Sequence, residues 1–317
     1  MPVTVHKILI HGAKVTEIAP LPIGPWQEES QEATNKIFKS IREFNTRRGP
    51  LSFAIPVARH PDHFVVGFRN QIILVQWSGM INDPTPMLKR FNDIRLEENE
   101  SIKCGTGDPF SGLWLWTEKR GARITGKMYS FHPLLPNNQF VPYTFPENGL
   151  TNGIVWHIYD GTKFYYIDAK HQRILSFSYD HQQRTPPTNL GMVFDLPSWY
   201  QAIGHRFYNA HAIIGRMTID TKGRLWVPLL GGSHVIQVNP RSGEVMQTVK
   251  IPAIRVSACA FGGLNMNILY VSTLGYDIDE VRPTGDKGGK IFAVSNLPDG
   301  VRGHDARPFV VPRGILR

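Results

Sequence analysis

The sequence predicts an all-β protein that folds as one six-bladed β-propeller domain over residues 1–317. The chain is 41% apolar and only 19% charged, with 29 Gly and 24 Pro, which indicates a globular, turn-rich protein. Short strand-like segments bounded by Gly, Pro, Asn or Asp recur along it, and a pattern with helical period is almost absent. Aromatic anchors recur roughly every 50 residues, which is typical of propeller blades. We expect the N-terminal strand to close the last blade.

Apolar patterning predicts the individual strands in chain order. The first third predicts strands at 52–58, 63–68 and 71–77. The middle of the chain predicts strands at 112–117, 127–131, 163–168 and 173–180, and the last third predicts strands at 223–230, 234–240, 244–251, 257–262, 268–273 and 290–295. The only helix-like segment is 30–43.

The predicted strands repeat as a unit. A Gly or Asn turn leads into a strand with an aromatic residue near its start, and a second, alternating strand follows after a variable gap. A two-sheet sandwich does not require such a unit to recur at a fixed interval, so the repeat favours a propeller. The aromatic anchors of four successive units are Trp114, Tyr165, Trp226 and Tyr270.

Composition and charge exclude several classes of protein. The formal charge is +9, but the basic residues are scattered and no nucleic-acid-binding motif surrounds them, so we expect no nucleic-acid partner. A small anionic ligand remains compatible with this charge. No apolar run approaches the roughly 20 residues that span a bilayer, and the N-terminal apolar stretch is too short for a secretory signal. We therefore expect a cytoplasmic monomer without membrane contact, with Cys104 and Cys259 as reduced thiols.

Two long segments carry a resemblance to a known family. Residues 151–180, "TNGIVWHIYDGTKFYYIDAKHQRILSFSYD", and residues 216–273, which include "RMTID" and "SACAFGG", are similar to the regucalcin, gluconolactonase and luciferin-regenerating-enzyme family. The likeness extends to "LSFAIPVARHPDHFVVGF" and to "GDPFSGLWLWT" and covers most of residues 50–295. The resemblance implies a six-bladed propeller with a calcium, zinc or manganese ion in the channel, which polarises a lactone or ester carbonyl.

The resemblance also implies three metal ligands: a Glu, an Asn and an Asp. The Asn is retained as Asn152, whereas Ile23 stands at the Glu position and Gly215 at the Asp position. One amide oxygen does not hold a divalent cation against water, so we expect no metal cofactor. A shifted alignment is an alternative for Ile23, since Glu17, Glu28 and Glu29 lie nearby. Restoring Ile23→Glu and Gly215→Asp together would recover some metal affinity if the backbone were unchanged.

A second substituted segment, Ser101–Thr106, falls where the resemblance implies substrate contacts. Lys103 replaces an Asn and Cys104 replaces an Asp. Lys103 either extends into solvent, or pairs with an anionic ligand as a lone ammonium in the upper channel near Asn152, or acts as a base or Schiff-base nucleophile. Lys103 and Asn152 are thus the candidate catalytic residues, and Cys104 is a ligand-contact candidate or a small packed residue.

Further candidates complete the predicted ligand site. Trp116 and Trp156 would form aromatic pocket walls, although Trp156 fits a blade core equally well. Three loop histidines would either be solvated or rebuild a nitrogen-rich metal site near Asn152. Arg216 stands directly after Gly215, where the resemblance implies a Gly, and is a ligand-binding candidate together with His211. The three histidines are His157, His205 and His211.

Three function classes follow from these residues. The first is a propeller that binds a small organic molecule, anionic or carbonyl-bearing, and is repurposed for metal-independent binding or chemistry. The second is a divergent metal-dependent lactonase or esterase, as the resemblance implies. The third is a catalytically inactive interaction protein, which would explain the lost ligands but not the new lysine. The sequence does not name the ligand.

Overall fold

A computed structural model of the chain describes residues 51–68, 70–76, 87–133, 139–145, 149–203, 212–277 and 279–312. These residues form five antiparallel sheets, each in an up-and-down order. This is the architecture of propeller blades, so the prediction of an all-β propeller is confirmed. The helix-like segment 30–43 and the predicted N-terminal closing strand lie outside the described residues.

The chain divides into two compact units. The first unit contains the described residues of Pro20–Asn148 and Ala306–Arg317, and the second contains those of Gly149–Asp305. The prediction of a single domain over 1–317 stays a prediction.

The first unit holds two four-stranded sheets. Its interior includes contacts of Phe309 with Phe91 and Phe131, whose ring centroids lie 5.5 and 5.9 Å from that of Phe309. Phe309 also donates its N–H to the Pro56 carbonyl at 2.8 Å, which ties the C-terminal segment to the first strand. The first sheet consists of β1 (Leu51–Val57), β2 (His60–Phe68), β3 (Gln71–Gln76) and β4 (Met87–Asp93), and the second of β5 (Glu100–Gly107), β6 (Leu113–Lys119), β7 (Met128–Phe131) and β8 (Val141–Tyr143).

The second unit holds three sheets whose neighbouring faces pack together through buried apolar side chains. The third sheet consists of β9 (Ile154–Trp156), β10 (Lys163–Asp168), β11 (Arg173–Ser178) and β12 (Thr188–Asp195). The fourth consists of β13 (Ile213–Ile214) and β14 (Thr218–Ile219), both paired with β15 (Leu225–Leu230), followed by β16 (His234–Val238) and β17 (Val245–Lys250). The fifth consists of β18 (Val256–Gly262), β19 (Ile268–Thr273) and β20 (Ile291–Val294), and a short 3₁₀ helix follows at Pro298–Gly300.

The predicted blade count is wrong for the part of the chain that the structure describes, which shows five blades and not six. The five sheets occupy residues 51–294, so the spacing of roughly 50 residues per blade is correct. The error arises because that spacing was extended over all 317 residues. Residues 1–50, which the sixth repeat would need, lie outside the described residues.

Every strand predicted from apolar patterning overlaps a strand in the structure. The four aromatic anchors lie on β6, β10, β15 and β19, each of which pairs directly with the innermost strand of its sheet. Equivalent positions in successive blades therefore produce the repeat seen in the sequence.

One helix was not predicted. Helix α1 (Leu196–Ile203) follows β12, and its first turn is capped by Asp195, whose Oδ1 accepts the Ser198 N–H at 2.7 Å. Trp199 and Tyr200 pack against the apolar cluster between the third and fourth sheets. The statement that 30–43 is the only helix-like segment is therefore wrong, because a two-turn insertion leaves too short a periodic pattern.

In two of the blades, a buried aspartate organises the turn that precedes the strand with the aromatic anchor. Asp220 Oδ1 accepts the N–H groups of Lys222 and Arg224, both at 2.9 Å. Asp220 Oδ2 accepts the Trp226 indole N–H and the Gln237 amide, both at 3.0 Å. Asp108 binds the Trp114 indole and two turn N–H groups in the same way. The repeated aspartate and tryptophan are thus parts of the scaffold.

Within the described residues, the structure contains no helix long and apolar enough to cross a membrane.

Candidate functional site

The site is built in the second unit around Ile214, the last residue of β13. Asn152, in the segment before β9, donates its Nδ2–H to the Ile214 carbonyl at 2.6 Å. The Ile214 N–H donates to Gln172 Oε1, also at 2.6 Å. Because the amide nitrogen of Asn152 is directed at Ile214, its amide oxygen faces away from that carbonyl. Two blades are therefore joined through one backbone unit next to Gly215.

Gly215 lies where two neighbouring blades approach through their backbones. Its N–H donates to the Pro228 carbonyl at 2.8 Å, and the next N–H, of Arg216, donates to the Ser257 carbonyl at 2.9 Å. The Arg216 carbonyl in turn accepts the Cys259 N–H at 3.2 Å. The innermost strands of the fourth and fifth sheets are thus bridged in parallel at this point.

This close approach explains on steric grounds why residue 215 is a glycine. A Cβ at this position would overlap the Ser257 carbonyl oxygen and would lie 3.2 Å from Pro228 Cγ. The overlapped atom belongs to the backbone, so it does not move aside as a flexible side chain would. The condition of an unchanged backbone, on which the expected recovery of metal affinity by Gly215→Asp and Ile23→Glu depended, is therefore not met at Gly215, since the substitution requires the two strands to separate.

Arg216 brings a desolvated cation to this point. Its side chain is half-buried, and its Nε has almost no exposed surface. Burial lowers the pKa of the guanidinium to about 9 because it removes the water that solvates the charge. At neutral pH the group is still a cation, and in a low-dielectric setting its attraction for an anion is stronger than in water.

Lys103 lies in the first unit at a β-bulge. Ile102 pairs with Thr117 and Cys104 with Trp116, so Lys103 is the extra residue of β5 opposite two consecutive residues of β6. Its side chain is exposed, and its Nζ lies 3.1 Å from Glu118 Oε1. The interpretation of Lys103 as a lone ammonium is wrong because Glu118 pairs with it. Its predicted proximity to Asn152, which belongs to the other unit, stays a prediction.

The electrostatics of Glu118 agree with this pairing. Burial of its carboxylate opposes ionisation, but hydrogen bonds from Arg120 and Lys103 outweigh that effect and lower its pKa. Glu118 is therefore an anion at neutral pH and holds the lysine at the surface of the sheet.

We expect Lys103→Met to change the free energy of unfolding by less than about 1 kcal/mol, because the pair is largely solvated. Urea denaturation of wild type, Lys103→Met, Glu118→Gln and the double variant would measure the coupling between the two side chains. A coupling above about 2 kcal/mol would contradict an exposed pair and would indicate that Lys103 lies in a desolvated site.

The remaining predicted contacts of the first unit and of β9 are buried. Cys104 is 0% exposed, and its Sγ lies 3.7 Å from the Gly105 carbonyl, so it is a packed residue in this structure. Trp116 and Trp156 are each 3% exposed, which leaves almost no indole surface for a ligand. The Trp156 ring contacts Phe164 and His181, as a blade-core residue does.

His157, which alone of the three predicted histidines lies within the described residues, is not beside Asn152. Asn152 and His157 flank opposite ends of β9, and five residues of extended chain separate them by about 16 Å. The alternative in which His157 helps to rebuild a metal site near Asn152 is therefore wrong. His157 Nδ1 instead accepts the N–H groups of Asp160 and Tyr159. His205, His211 and Ile23 lie outside the described residues, within which no group of three His, Cys, Asp or Glu side chains is placed to hold a metal.

Sequence reasoning missed the turn between β10 and β11, which supplies Gln172 to the site. Gln172 has a φ of 55°, and this left-handed conformation directs the chain so that its side chain reaches Ile214. The same turn contains His171, which bonds the buried Asp168. The signal was the segment "AKHQ" between two predicted strands, the second of which begins at Arg173.

Comparisons with known proteins agree with this architecture. A family model described as SMP-30/Gluconolactonase/LRE-like region matches residues 26–275. Regucalcin of Oryctolagus cuniculus is 31% identical over 216 residues, which are 68% of this chain and 64% of that protein. Regucalcin of Danio rerio is 26% identical over 270 residues, 85% of this chain and 83% of that protein. The match to regucalcin of Gallus gallus spans 66% of that protein, so the chain covers just under two thirds of the length of some of these relatives.

Solved structures give the same result. A luciferin-regenerating enzyme superposes with a TM-score of 0.68 at 26% identity and covers 84% of this chain, with 83% of its own chain matched. A calcium-binding protein, regucalcin from Agrobacterium tumefaciens, superposes with a TM-score of 0.61 at 16% identity, which supports the fold alone.

Proposed function

Because the chain belongs to the SMP-30/gluconolactonase/LRE-like family, we propose that it binds a small organic molecule at the family's ligand position and does so without a divalent cation. The ligand is anionic or carbonyl-bearing and is small enough for a propeller channel. The observation that carries this proposal is the close approach of Gly215 to the Ser257 carbonyl, which leaves no room for a carboxylate side chain.

The residues present do not fit the family's metal. A hard divalent cation requires several oxygen ligands, and carboxylates supply most of the binding energy. Of the three positions implied by the family resemblance, Asn152 offers one amide oxygen, Gly215 offers no side chain and Ile23 offers a hydrocarbon. Calcium, zinc and manganese are therefore not part of the proposed site.

Arg216 supplies the positive charge that the metal would have supplied. A guanidinium binds a carboxylate in a bidentate manner and also donates to a carbonyl oxygen. Because Arg216 is buried beside Gly215, its attraction for an anion is stronger than it would be in water. Lys103 is the weaker candidate because Glu118 already compensates its charge. Asn152 remains a proposed polar contact of the ligand.

We expect the chelator-treated protein to bind benzoate, which joins an aromatic ring to a carboxylate. Arg216→Met should weaken this binding by about tenfold or more, since a charge-assisted hydrogen bond contributes about 1.5–3 kcal/mol. Calorimetric titration would measure it, with Arg241→Met as the matched control because Arg241 is an exposed arginine of the same unit. Added calcium, manganese or zinc should leave the affinity unchanged.

Three results would contradict the proposal. Benzoate binding that requires a metal, together with hydrolysis of δ-gluconolactone only in the presence of that metal, would establish the divergent metal-dependent lactonase instead. Equal affinities of wild type and Arg216→Met would exclude Arg216 as the anion-binding group. Lack of benzoate binding by the wild type would favour the interaction protein.

A further inference from the structure

The turn that joins β10 to β11 contains a carboxylate–imidazole pair. Asp168 has a side chain only 4% exposed, and its Oδ2 lies 2.9 Å from His171 Nδ1. The same oxygen accepts the Arg173 Nε–H at 2.8 Å, and Asp168 Oδ1 accepts the His171 backbone N–H at 3.3 Å. The His171 side chain is 37% exposed, so the imidazole has one edge fixed on a buried carboxylate and part of its surface accessible.

This arrangement selects one form of the imidazole. A carboxylate next to Nδ1 favours the tautomer with the proton on Nδ1, which leaves the lone pair on Nε2. Burial opposes the ionisation of Asp168, but hydrogen bonds from His171 and Arg173 outweigh it and lower the pKa of the carboxyl. Asp168 is therefore a carboxylate at neutral pH, and it would stabilise an imidazolium formed when the ring accepts a proton.

The turn is fixed to the proposed ligand site at two points. The Ala169 N–H donates to the Leu150 carbonyl at 3.3 Å, close to Asn152 along the chain. Gln172, the neighbour of His171, accepts the Ile214 N–H, while Asn152 binds the carbonyl of the same residue. β9 begins just after Asn152, β10 ends at Asp168, and the two strands are antiparallel, so both residues lie at one end of the third sheet.

We propose that His171 is a general base for the hydrolysis of an ester or lactone bound at this site, with Asp168 and Arg173 as positioning residues. The inference rests on the proposed function, because His171 would act on the ligand that the proposed site binds. It would do so without a metal. The Asp168 carboxylate of this pair is buried, whereas Asp62, which pairs with His63, is 38% exposed.

The step balances without a further cofactor. Water attacks the carbonyl carbon, a C–O bond forms, and His171 Nε2 takes the proton that water loses. The tetrahedral alkoxide then collapses, the C–O bond to the leaving alcohol breaks, and the imidazolium returns its proton to that oxygen. The products are the carboxylic acid and the alcohol, and one water molecule is consumed.

The test is hydrolysis of p-nitrophenyl acetate and δ-valerolactone by the chelator-treated protein. We expect a rate above the buffer rate, and a loss of about 100-fold in kcat in His171→Gln with KM nearly unchanged. Asp168→Asn should lower kcat and change the pH profile. His181→Gln is the matched control, because His181 bonds the Gly161 carbonyl beyond the opposite end of β9, and its rate should equal that of wild type.

The outcomes separate this inference from the proposed function. His171→Gln should fold normally because its side chain is partly exposed, and circular dichroism would verify this. A wild-type rate that does not exceed the buffer rate would contradict the role of His171 as general base. A His171→Gln variant with the wild-type kcat and pH profile would also contradict it. If Arg216→Met leaves KM unchanged while His171→Gln lowers kcat, the results support His171 as the base and contradict the anion-binding role of Arg216. If Arg216→Met raises KM while His171→Gln leaves kcat unchanged, the results support only the proposed function.

Discussion

Replacing Asp220 with alanine is expected to destabilise the second unit by about 3–5 kcal/mol. The carboxylate is 0% exposed and accepts four hydrogen bonds, from two turn N–H groups, the Trp226 indole and the Gln237 amide. Its removal leaves these donors without an acceptor in a buried site, and each such donor costs about 1–3 kcal/mol before the turn relaxes. Urea denaturation followed by circular dichroism would measure the effect.

Asp160→Ala is the control for this prediction. Asp160 also caps a turn, through bonds from the Thr162 N–H and hydroxyl, but it is exposed, so water replaces the lost acceptor. We expect a change within about 1 kcal/mol. Equal changes in the free energy of unfolding for the two substitutions would show that the burial of Asp220 does not determine its contribution to stability. Asp220→Asn should fall between them, since it keeps an acceptor but turns an amide group toward donors.

Gly215→Asp is expected to destabilise the protein by about 2–4 kcal/mol and to create no metal affinity. The new Cβ would overlap the Ser257 carbonyl oxygen, so the bridge between Arg216 and the fifth sheet must open before the side chain fits. A carboxylate placed on separated strands is not aligned with Asn152. Thermal unfolding with and without calcium would report both effects.

Gly121→Asp is the matched control for this substitution. Gly121 is exposed, and the nearest atom to a Cβ there is the Arg123 carbonyl oxygen at 3.9 Å, so an aspartate fits without moving the backbone. Its unfolding midpoint should equal that of wild type. A Gly215→Asp variant with the stability of Gly121→Asp, or one that calcium stabilises, would show that the strands separate easily and that the family's metal site is recoverable.

The fold could be predicted largely from the second and third strands of each blade. These strands are buried on both faces, so they appear as apolar runs, and their aromatic anchors repeat at equivalent positions. Several innermost and outermost strands were missed for physical reasons, although β1, β17 and β18 were predicted. β9 and β13 contain only three and two residues, and β12 has five consecutive exposed residues, so no alternation marks them.

The candidate site was predictable only where it coincides with a family position. Asn152, Gly215 and Arg216 were identified from the resemblance, and the structure adds the reason for the glycine. Gln172 and His171 were not identified because their placement depends on a left-handed residue in a turn, which no periodicity reveals. Lys103 was interpreted as an unpaired charge because sequence does not show that a bulge brings it to Glu118.

The thermal unfolding midpoint of chelator-treated protein tests most directly our proposal that Arg216 binds the ligand in place of a metal. Benzoate should raise the midpoint of wild type, because a ligand that binds only the folded state stabilises it. It should not raise that of Arg216→Met, and calcium, manganese and zinc should raise neither. A midpoint that rises with one of these cations in wild type, and a benzoate-induced rise in the midpoint that persists in Arg216→Met, would contradict this role of Arg216.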